Sequence, residues 1–118
     1  MFESTDIMEW RGHDVVDRTG SKIGVLEAVY VDTASDRPSF GTVRVGMPTR
    51  YRLAFVPLNG ARVGPGYLKV TSDKKLVKDA PSIDTDGVLP AEDEPALFQH
   101  YGLDYQPGVG GERRLARR

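Results

Sequence analysis

A chain of 118 residues supplies one domain's core and leaves no room for a second. It has no cysteine, which excludes disulfides and thiolate chemistry, and it has no apolar run near the ~18–20 residues that span a bilayer. The net charge is −1, the body outside the arginine-rich C-terminus is slightly acidic, and the N-terminus lacks a signal-peptide pattern. These features predict a cytoplasmic protein without membrane insertion.

The first predicted element is a hairpin that begins at Asp14. A short strand ending at Val16 leads into a turn over residues 17–20. Gly20 supplies the positive φ that such a turn requires, and the Asp17 side chain bonds the backbone ahead of it. The strand after the turn, Lys22–Asp32, is apolar on both faces, so both faces need cover.

The outer face of this long strand is a candidate interface. Leu26, Ala28 and Tyr30 share it, whereas a small barrel buries only the inner face of each strand. Three covers are possible: a C-terminal helix, Trp10 with the N-terminal segment, or a second subunit. Because a helix of two turns spans only ~12 Å, we expect apolar surface to remain exposed and to form a homodimer interface.

Short strands and turns continue through the middle of the chain. We predict strands over residues 40–46, 51–56, 61–63 and 67–71, with turns rich in glycine and proline between them. A short segment containing Leu76 and Val77 follows and ends at Pro81. The alternation of apolar residues predicts a core made of Ile23, Val25, Val43, Val45, Leu53, Phe55, Leu68 and Val70.

The C-terminal third has one predicted helix. Residues 82–93 are acidic and show no periodicity, which predicts a surface loop. Residues 94–101 predict a helix, because Pro95 favours the first turn, Gly102 favours the position after the last, and Leu97, Phe98 and Tyr101 form an apolar stripe. The glycine- and arginine-rich residues 106–118 predict a disordered tail.

Five segments in this order resemble the signature of the PRC-barrel domain family. They are Gly12-His13-Asp14-Val15-Val16-Asp17-Arg18-Thr19-Gly20-Ser21-Lys22-Ile23-Gly24-Val25, then Val31-Asp32, Phe55-Val56-Pro57-Leu58, Lys78-Asp79-Ala80-Pro81 and Tyr101-Gly102-Leu103. The last two resemble the closing features of stand-alone bacterial members. The family includes the cytoplasmic domain of the photosynthetic reaction centre H subunit and the C-terminal domain of a ribosome-maturation factor.

The resemblance implies an all-β fold: a small PRC-type β-barrel of about six strands with one short C-terminal helix. It implies a barrel domain over residues 10–105, with residues 1–9 as an N-terminal extension and 106–118 as the tail. Such domains recognise other macromolecules, often as dimers, and the resemblance implies no reaction. We expect neither specific family function, because the sequence contains neither the H subunit's transmembrane helix nor the ribosome factor's N-terminal domain.

The residues offer no set of groups for catalysis or for a cofactor or metal. The two histidines, His13 and His100, lie far apart in sequence, and His13 is interpreted as a turn residue. The motif Asp84-x-Asp86-Gly87 resembles the start of a calcium loop, but Pro95 occupies the position where an EF-hand needs glutamate. We therefore predict a non-enzyme with no catalytic residue, no cofactor and no metal site.

A second candidate interface surrounds one predicted hairpin. Arg44, Arg50, Tyr51 and Arg52 lie on it or beside its turn, and arginine and tyrosine are frequent interface residues. The first hypothesis is a homodimeric module that docks an unidentified protein partner. The alternative is an RNA- or ribosome-associated factor that uses the same hairpin and the arginine tail. An ordinary solvated hairpin tip is also compatible with these residues.

Overall fold

The computed structural model describes residues 10–47, 49–85, 87–106 and 113–117. Residues 1–9, the predicted N-terminal extension, lie outside the described residues. The elements are the strands β1 (Asp14–Val16), β2 (Lys22–Asp32), β3 (Pro38–Met47), β4 (Arg50–Pro57), β5 (Arg62–Gly64), β6 (Tyr67–Lys69), β7 (Ser82–Asp84) and β8 (Leu115–Arg117), and the helices α1 (Lys74–Lys78) and α2 (Glu94–His100). The all-β prediction is confirmed, and so is the short C-terminal helix.

One sheet contains all of these strands. Its order is β5-β6-β1-β2-β3-β4-β7, the β1–β6 pair is parallel, and the other pairs are antiparallel. β5 and β7 are not paired with each other, so in the described part of the chain the sheet is not closed. β8 pairs with the end of β2, along the same edge that β1 occupies at the start of β2.

Two apolar clusters lie on opposite faces of β3 and β4. Val43 and Val45 of β3, with Ala54 and Val56 of β4, belong to the inner cluster, which also contains Leu68. Phe40 and Phe55 belong to the outer cluster, whose other buried members are Ala28, Tyr30, Leu89, Leu97, Phe98 and Leu115. Because successive strand residues point to opposite faces, each of these strands contributes to both clusters.

Leu53 and Phe55, predicted in one core with Val43 and Val45, lie on the outer face of β4 instead. All residues of the predicted core are buried except Val25, which is half-buried. The reason is a register shift in the β2–β3 pairing between Leu26 and Ala28. An irregularity of this kind reverses which side chains point inward. As a result Leu26 joins Val29 and Val31 in the inner cluster, while Ala28 and Tyr30 face the outer one.

Asp17 organises the predicted turn and also fixes helix α1. Its Oδ1 accepts hydrogen bonds from the backbone N–H and the hydroxyl of Thr19 and from the backbone N–H of Ser21, at 2.7–3.0 Å. Its Oδ2 accepts from the N–H of Lys74, the first residue of α1. These bonds, the Thr19 hydroxyl first among them, lower the pKa of Asp17 from 3.8 to about 2.

The two helices differ in how well the sequence predicted them. α2 ends at His100, one residue before the predicted boundary, and Gly102 has the expected positive φ of 68°. α1 was predicted only as a short segment. It has five residues, and its exposed first turn depends on the distant Asp17 carboxylate, which no local pattern indicates.

Candidate interaction surface

The β3–β4 hairpin divides the four predicted hairpin residues between its two faces. Arg44 pairs with Leu53 and Gly46 with Tyr51, so Arg44 and Tyr51 share the face that carries the outer cluster further along the strands. Val45 pairs with Arg52, which places Arg52 on the opposite face. Arg50 lies on that face too, because it is two residues from Arg52.

On the first face an arginine stacks on a tyrosine. The guanidinium carbon of Arg44 lies 5.0 Å from the centroid of the Tyr51 ring, within the range of a cation–π contact. Both side chains are exposed, and the exposed fraction of Tyr51 is 41%. The pair thus presents a flat aromatic surface and a positive charge to solvent.

On the opposite face Arg52 reaches helix α1. Its guanidinium donates a hydrogen bond of 2.7 Å to the carbonyl oxygen of Lys78, the last residue of the helix. The side chains of Lys75 and Lys78 are exposed on that helix, and Arg50 is exposed nearby along the strand. Asp84 of β7 lies opposite Arg52 in the strand pairing. The structure thus joins Arg52 of the hairpin to a lysine-rich helix.

Sequence reasoning did not select the lysines of α1. The signal was present, because residues 74–78 read Lys-Lys-Leu-Val-Lys and two lysines spaced by three or four residues share a helix face. It was missed because the segment was not predicted to be helical. We call the end of the β3–β4 hairpin the basic tip; it carries Arg44 and Tyr51 on one face and Arg50, Arg52 and the α1 residues Lys75 and Lys78 on the opposite face.

The predicted interface on the outer face of β2 is wrong, because its residues are buried within the chain. The exposed fractions of Leu26, Ala28 and Tyr30 are 1%, 2% and 4% within a single chain. Leu26 points into the inner cluster because of the register shift, and the chain itself covers the other two. The homodimer surface expected on the outer face of β2 is therefore not exposed.

The C-terminal third of the chain covers this outer face. Leu97 and Phe98 of α2 belong to the outer cluster, and the ring centroids of Phe98 and Phe40 lie 5.1 Å apart. The hydroxyl of Tyr101 donates to the carbonyl oxygen of Phe55 at 2.6 Å. Burial of this hydroxyl raises the pKa of Tyr101 above its ordinary value. Leu115 of β8 also packs in the outer cluster, so more than the helix covers this face of the sheet.

Residues 113–117 differ from the predicted disordered tail. β8 pairs with Tyr30, Val31 and Asp32 of β2, and Leu115 is buried with an exposed fraction of 1%. The Nε of Arg114 donates to Asp32 at 2.7 Å. The prediction failed here because arginines flank Leu115 and hide any apolar alternation. Residues 107–112 and 118 of the predicted tail lie outside the described residues.

The histidines and carboxylates singled out by the sequence lie apart from one another in the described part of the chain. Among the residues that the structure describes, no cluster of three histidine, cysteine, aspartate or glutamate side chains has the geometry of a metal site. Nε2 of His100 lies 2.8 Å from the carbonyl oxygen of Leu76, and His13 lies just before β1. Asp84 is in β7, and Asp86 lies outside the described residues. No helix in the described ranges has the length and apolarity needed to cross a membrane.

The chain is thus a small β-sheet protein in which the C-terminal elements α2 and β8 cover the outer face of the sheet. A sequence model of the PRC-barrel domain matches residues 4–77, more than half of the chain, and the chain belongs to the PRC-barrel family. Domains of this family are generally non-catalytic interaction modules. No curated protein matches the chain. The matched range includes β1 to β6 and most of α1, whereas β7, α2 and β8 follow it.

Proposed function

We propose that this chain is a non-catalytic docking module that binds an acidic surface of a protein partner through the basic tip. The observation that carries the proposal is the stacking of the Arg44 guanidinium on the exposed Tyr51 ring. Stacking holds the guanidinium in a defined position, so less side-chain entropy is lost on binding. Arginine and tyrosine are also enriched among the residues that dominate binding energies.

The charge of the basic tip supports an acidic partner. Among the described residues, Arg44 and Arg50 form no ion pair, and the exposed lysines of α1 add positive charge on the opposite face of the hairpin. An acidic surface would pair with these charges and would be steered toward them before contact. Rim charges of this kind chiefly increase the association rate, whereas the stacked pair supplies the short-range contact.

The alternative role, RNA or ribosome binding, receives less support from the C-terminal arginines. Arg114 is bound to Asp32, and the guanidinium of Arg113 donates to the carbonyl oxygen of Leu89 at 2.9 Å. Two of the four arginines predicted to contact nucleic acid thus have structural partners within the chain. The Tyr51 ring could still stack on a nucleic-acid base. The test therefore also measures whether nucleic acid is captured.

The test is affinity capture from a lysate of the source cell with four baits, followed by mass spectrometry. The variants Arg44→Ala and Tyr51→Ala alter the basic tip, while Arg62→Ala and Tyr67→Ala alter exposed residues at the β5–β6 end of the sheet. We expect partner proteins that the first two variants lose and the last two keep. A partner set unchanged by Tyr51→Ala contradicts the proposal. Nucleic acid in the captured fraction that salt removes supports the alternative.

A further inference from the structure

The hydrogen bonds of residues 113–117 are almost all with residues that precede α2 or begin it. The backbone of β8 pairs with residues 30–32, and Thr33 binds the segment twice, through its N–H to the carbonyl oxygen of Arg114 and through its hydroxyl to that of Arg113. On the other side, the carboxylate of Glu94 accepts hydrogen bonds from the N–H groups of Arg114 and Leu115, at 2.8 and 2.9 Å. The segment therefore lies in a cleft between the β2 edge and the start of α2.

The cleft recognises a particular sequence. Glu94 is fully buried, and its two oxygens accept from the consecutive backbone N–H groups of Arg114 and Leu115, so the bound segment must bend at Arg114, just before β8 begins. Asp32 selects an arginine beside this position, and the outer cluster encloses a leucine next to it. The cleft thus fits an arginine at the bend followed by an aliphatic residue that begins the strand, as in Arg114 and Leu115.

We propose that this cleft exchanges its strand between two copies of the chain, so that β8 of each copy occupies the cleft of the other. The hydrogen bonds of the segment are with residues 30–33, 89 and 94, apart from one from Arg114 to the carbonyl oxygen of Gln106. Its apolar contacts are those of Leu115 with the outer cluster and of Ala116 with the inner cluster. A second copy offers the same groups in the same places. The exchanged dimer preserves almost every contact and is symmetric, as exchange of an identical element requires.

A second copy is the occupant that the charges and shape favour, because it carries the matching Arg114-Leu115 pair. Only residues 107–112, with the sequence Pro-Gly-Val-Gly-Gly-Glu, separate Gln106 from the bound segment. In the closed form, β8 occupies the cleft of its own chain, whereas in the exchanged form it occupies the cleft of the other copy. Since the two forms share their contacts, the equilibrium between monomer and exchanged dimer depends on protein concentration. The exchanged form becomes populated as protein concentration approaches the effective concentration of the tethered strand, about 1 mM for a strand joined by a short linker. The proposal is independent of the basic tip.

The natural absence of cysteine permits a direct test by disulfide trapping. Val31 and Ala116 are paired across β2 and β8, and both contact the inner cluster. A Val31→Cys chain and an Ala116→Cys chain are unfolded together, refolded as a mixture at about 10 μM to about 1 mM, and oxidised. We expect a mixed disulfide whose yield rises at least tenfold, by order of magnitude, across this concentration range.

The position of Val31 makes the mixed disulfide diagnostic. Its exposed fraction is 1%, so a random collision between folded chains cannot reach a cysteine there. The matched control pairs Val31→Cys with Ala96→Cys, whose position on α2 is exposed, and should give no mixed disulfide. A doubly substituted Val31→Cys, Ala116→Cys chain should close within itself at low concentration. If it closes and the mixed pair never forms at 1 mM, the proposal is overturned.

A second measurement needs no cysteine. Native mass spectrometry of the unmodified chain, refolded at about 1 mM, should detect a dimer that Leu115→Asp removes and Arg117→Asp retains. Leu115 is buried in the cleft, whereas Arg117 is exposed. This measurement decides the question if the doubly substituted chain fails to form its internal disulfide. A chain that stays monomeric at this concentration, or a dimer that survives Leu115→Asp, refutes strand exchange.

Discussion

Oε1 of Glu94 accepts a hydrogen bond of 2.8 Å from the backbone N–H of Arg114, a residue 20 positions further along the chain. The same oxygen accepts from the hydroxyl of Tyr105 at 2.8 Å, and burial together with this bond raises the pKa of the tyrosine. Glu94 therefore joins the start of α2 to the C-terminal strand through a carboxylate that has no contact with solvent. The outer cluster depends on this joint because Leu115 belongs to it.

Replacing Glu94 by glutamine should release the C-terminal strand. The amide offers only one acceptor oxygen, so its NH2 group faces an N–H of β8 or the Tyr105 hydroxyl. A buried group left without its partner costs about 1–3 kcal/mol. Urea unfolding of Glu94→Gln should therefore give a lower free energy of unfolding, and hydrogen exchange at Leu115 should become faster.

The matched control for this variant is Glu92→Gln, at an exposed position two residues earlier. It makes the same chemical change and should leave both the free energy of unfolding and the exchange rate at Leu115 unchanged. Equal unfolding midpoints for the two variants would mean that Glu94 does not hold the strand.

Truncation of Leu115 measures the contribution of the C-terminal strand to the fold. Its side chain is buried in the outer cluster, and removing a buried leucine side chain costs about 2–5 kcal/mol. Leu115→Ala should therefore lower the melting temperature, whereas Arg117→Ala, at the exposed end of the same strand, should not. A melting temperature unaffected by Leu115→Ala would mean that β8 does not stabilise the fold, as the predicted disordered tail implied.

The elements that the sequence predicted well are those whose signals are local. The turn after β1 needs only Asp17 and Gly20, which are three residues apart, and α2 shows its proline, its apolar stripe and its terminal glycine within one short segment. Alternation along β3 correctly gives Val43 and Val45 to the inner core, whereas on β4 it gave Leu53 and Phe55, because both faces of that strand are apolar. On β2 the misassigned residue is Val25. It could not be assigned from one strand, because the irregular pairing near Leu26 is a property of two strands together.

The elements that the sequence did not predict depend on distant residues. β8 is short and flanked by arginines, and its partners, Asp32 and Glu94, lie far away in the sequence. The prediction of an interface on β2 was wrong for the same reason. The alternation correctly indicates apolar residues, but no local pattern indicates that the chain's own C-terminus covers them. The proximity of Arg52 to α1 also results from tertiary packing.

The Asp17 carboxylate makes stability depend on pH in the acid range. Its pKa in the folded chain, about 2, lies below the ordinary value of 3.8. A lowered pKa means that the ionised form stabilises the fold, so this contribution is fully present above pH 3.8 and disappears as the pH falls through about 2. Asp17→Asn should be less stable than the unmodified chain at neutral pH, and the difference should shrink within this window.

Urea unfolding at a series of pH values measures this difference. Asp104→Asn, at an exposed position, is the control and should follow the unmodified chain throughout. A gap between Asp17→Asn and the unmodified chain that stays constant down to pH 2 would show that the charge of Asp17 is not the stabilising feature.

The inner cluster can be tested with two valines of opposite exposure. Val43 has an exposed fraction of 0% and pairs with Ala54 inside the inner cluster, whereas Val63 of β5 is 50% exposed. Val43→Ala should lower the free energy of unfolding by about 1–3 kcal/mol, through the lost burial of two methyl groups and the cavity they leave. Val63→Ala removes the same atoms from the surface and should change it by less than about 0.5 kcal/mol. Chemical denaturation measures both, and equal midpoints for the two variants would place Val43 outside the core and contradict the register of β3 against β4.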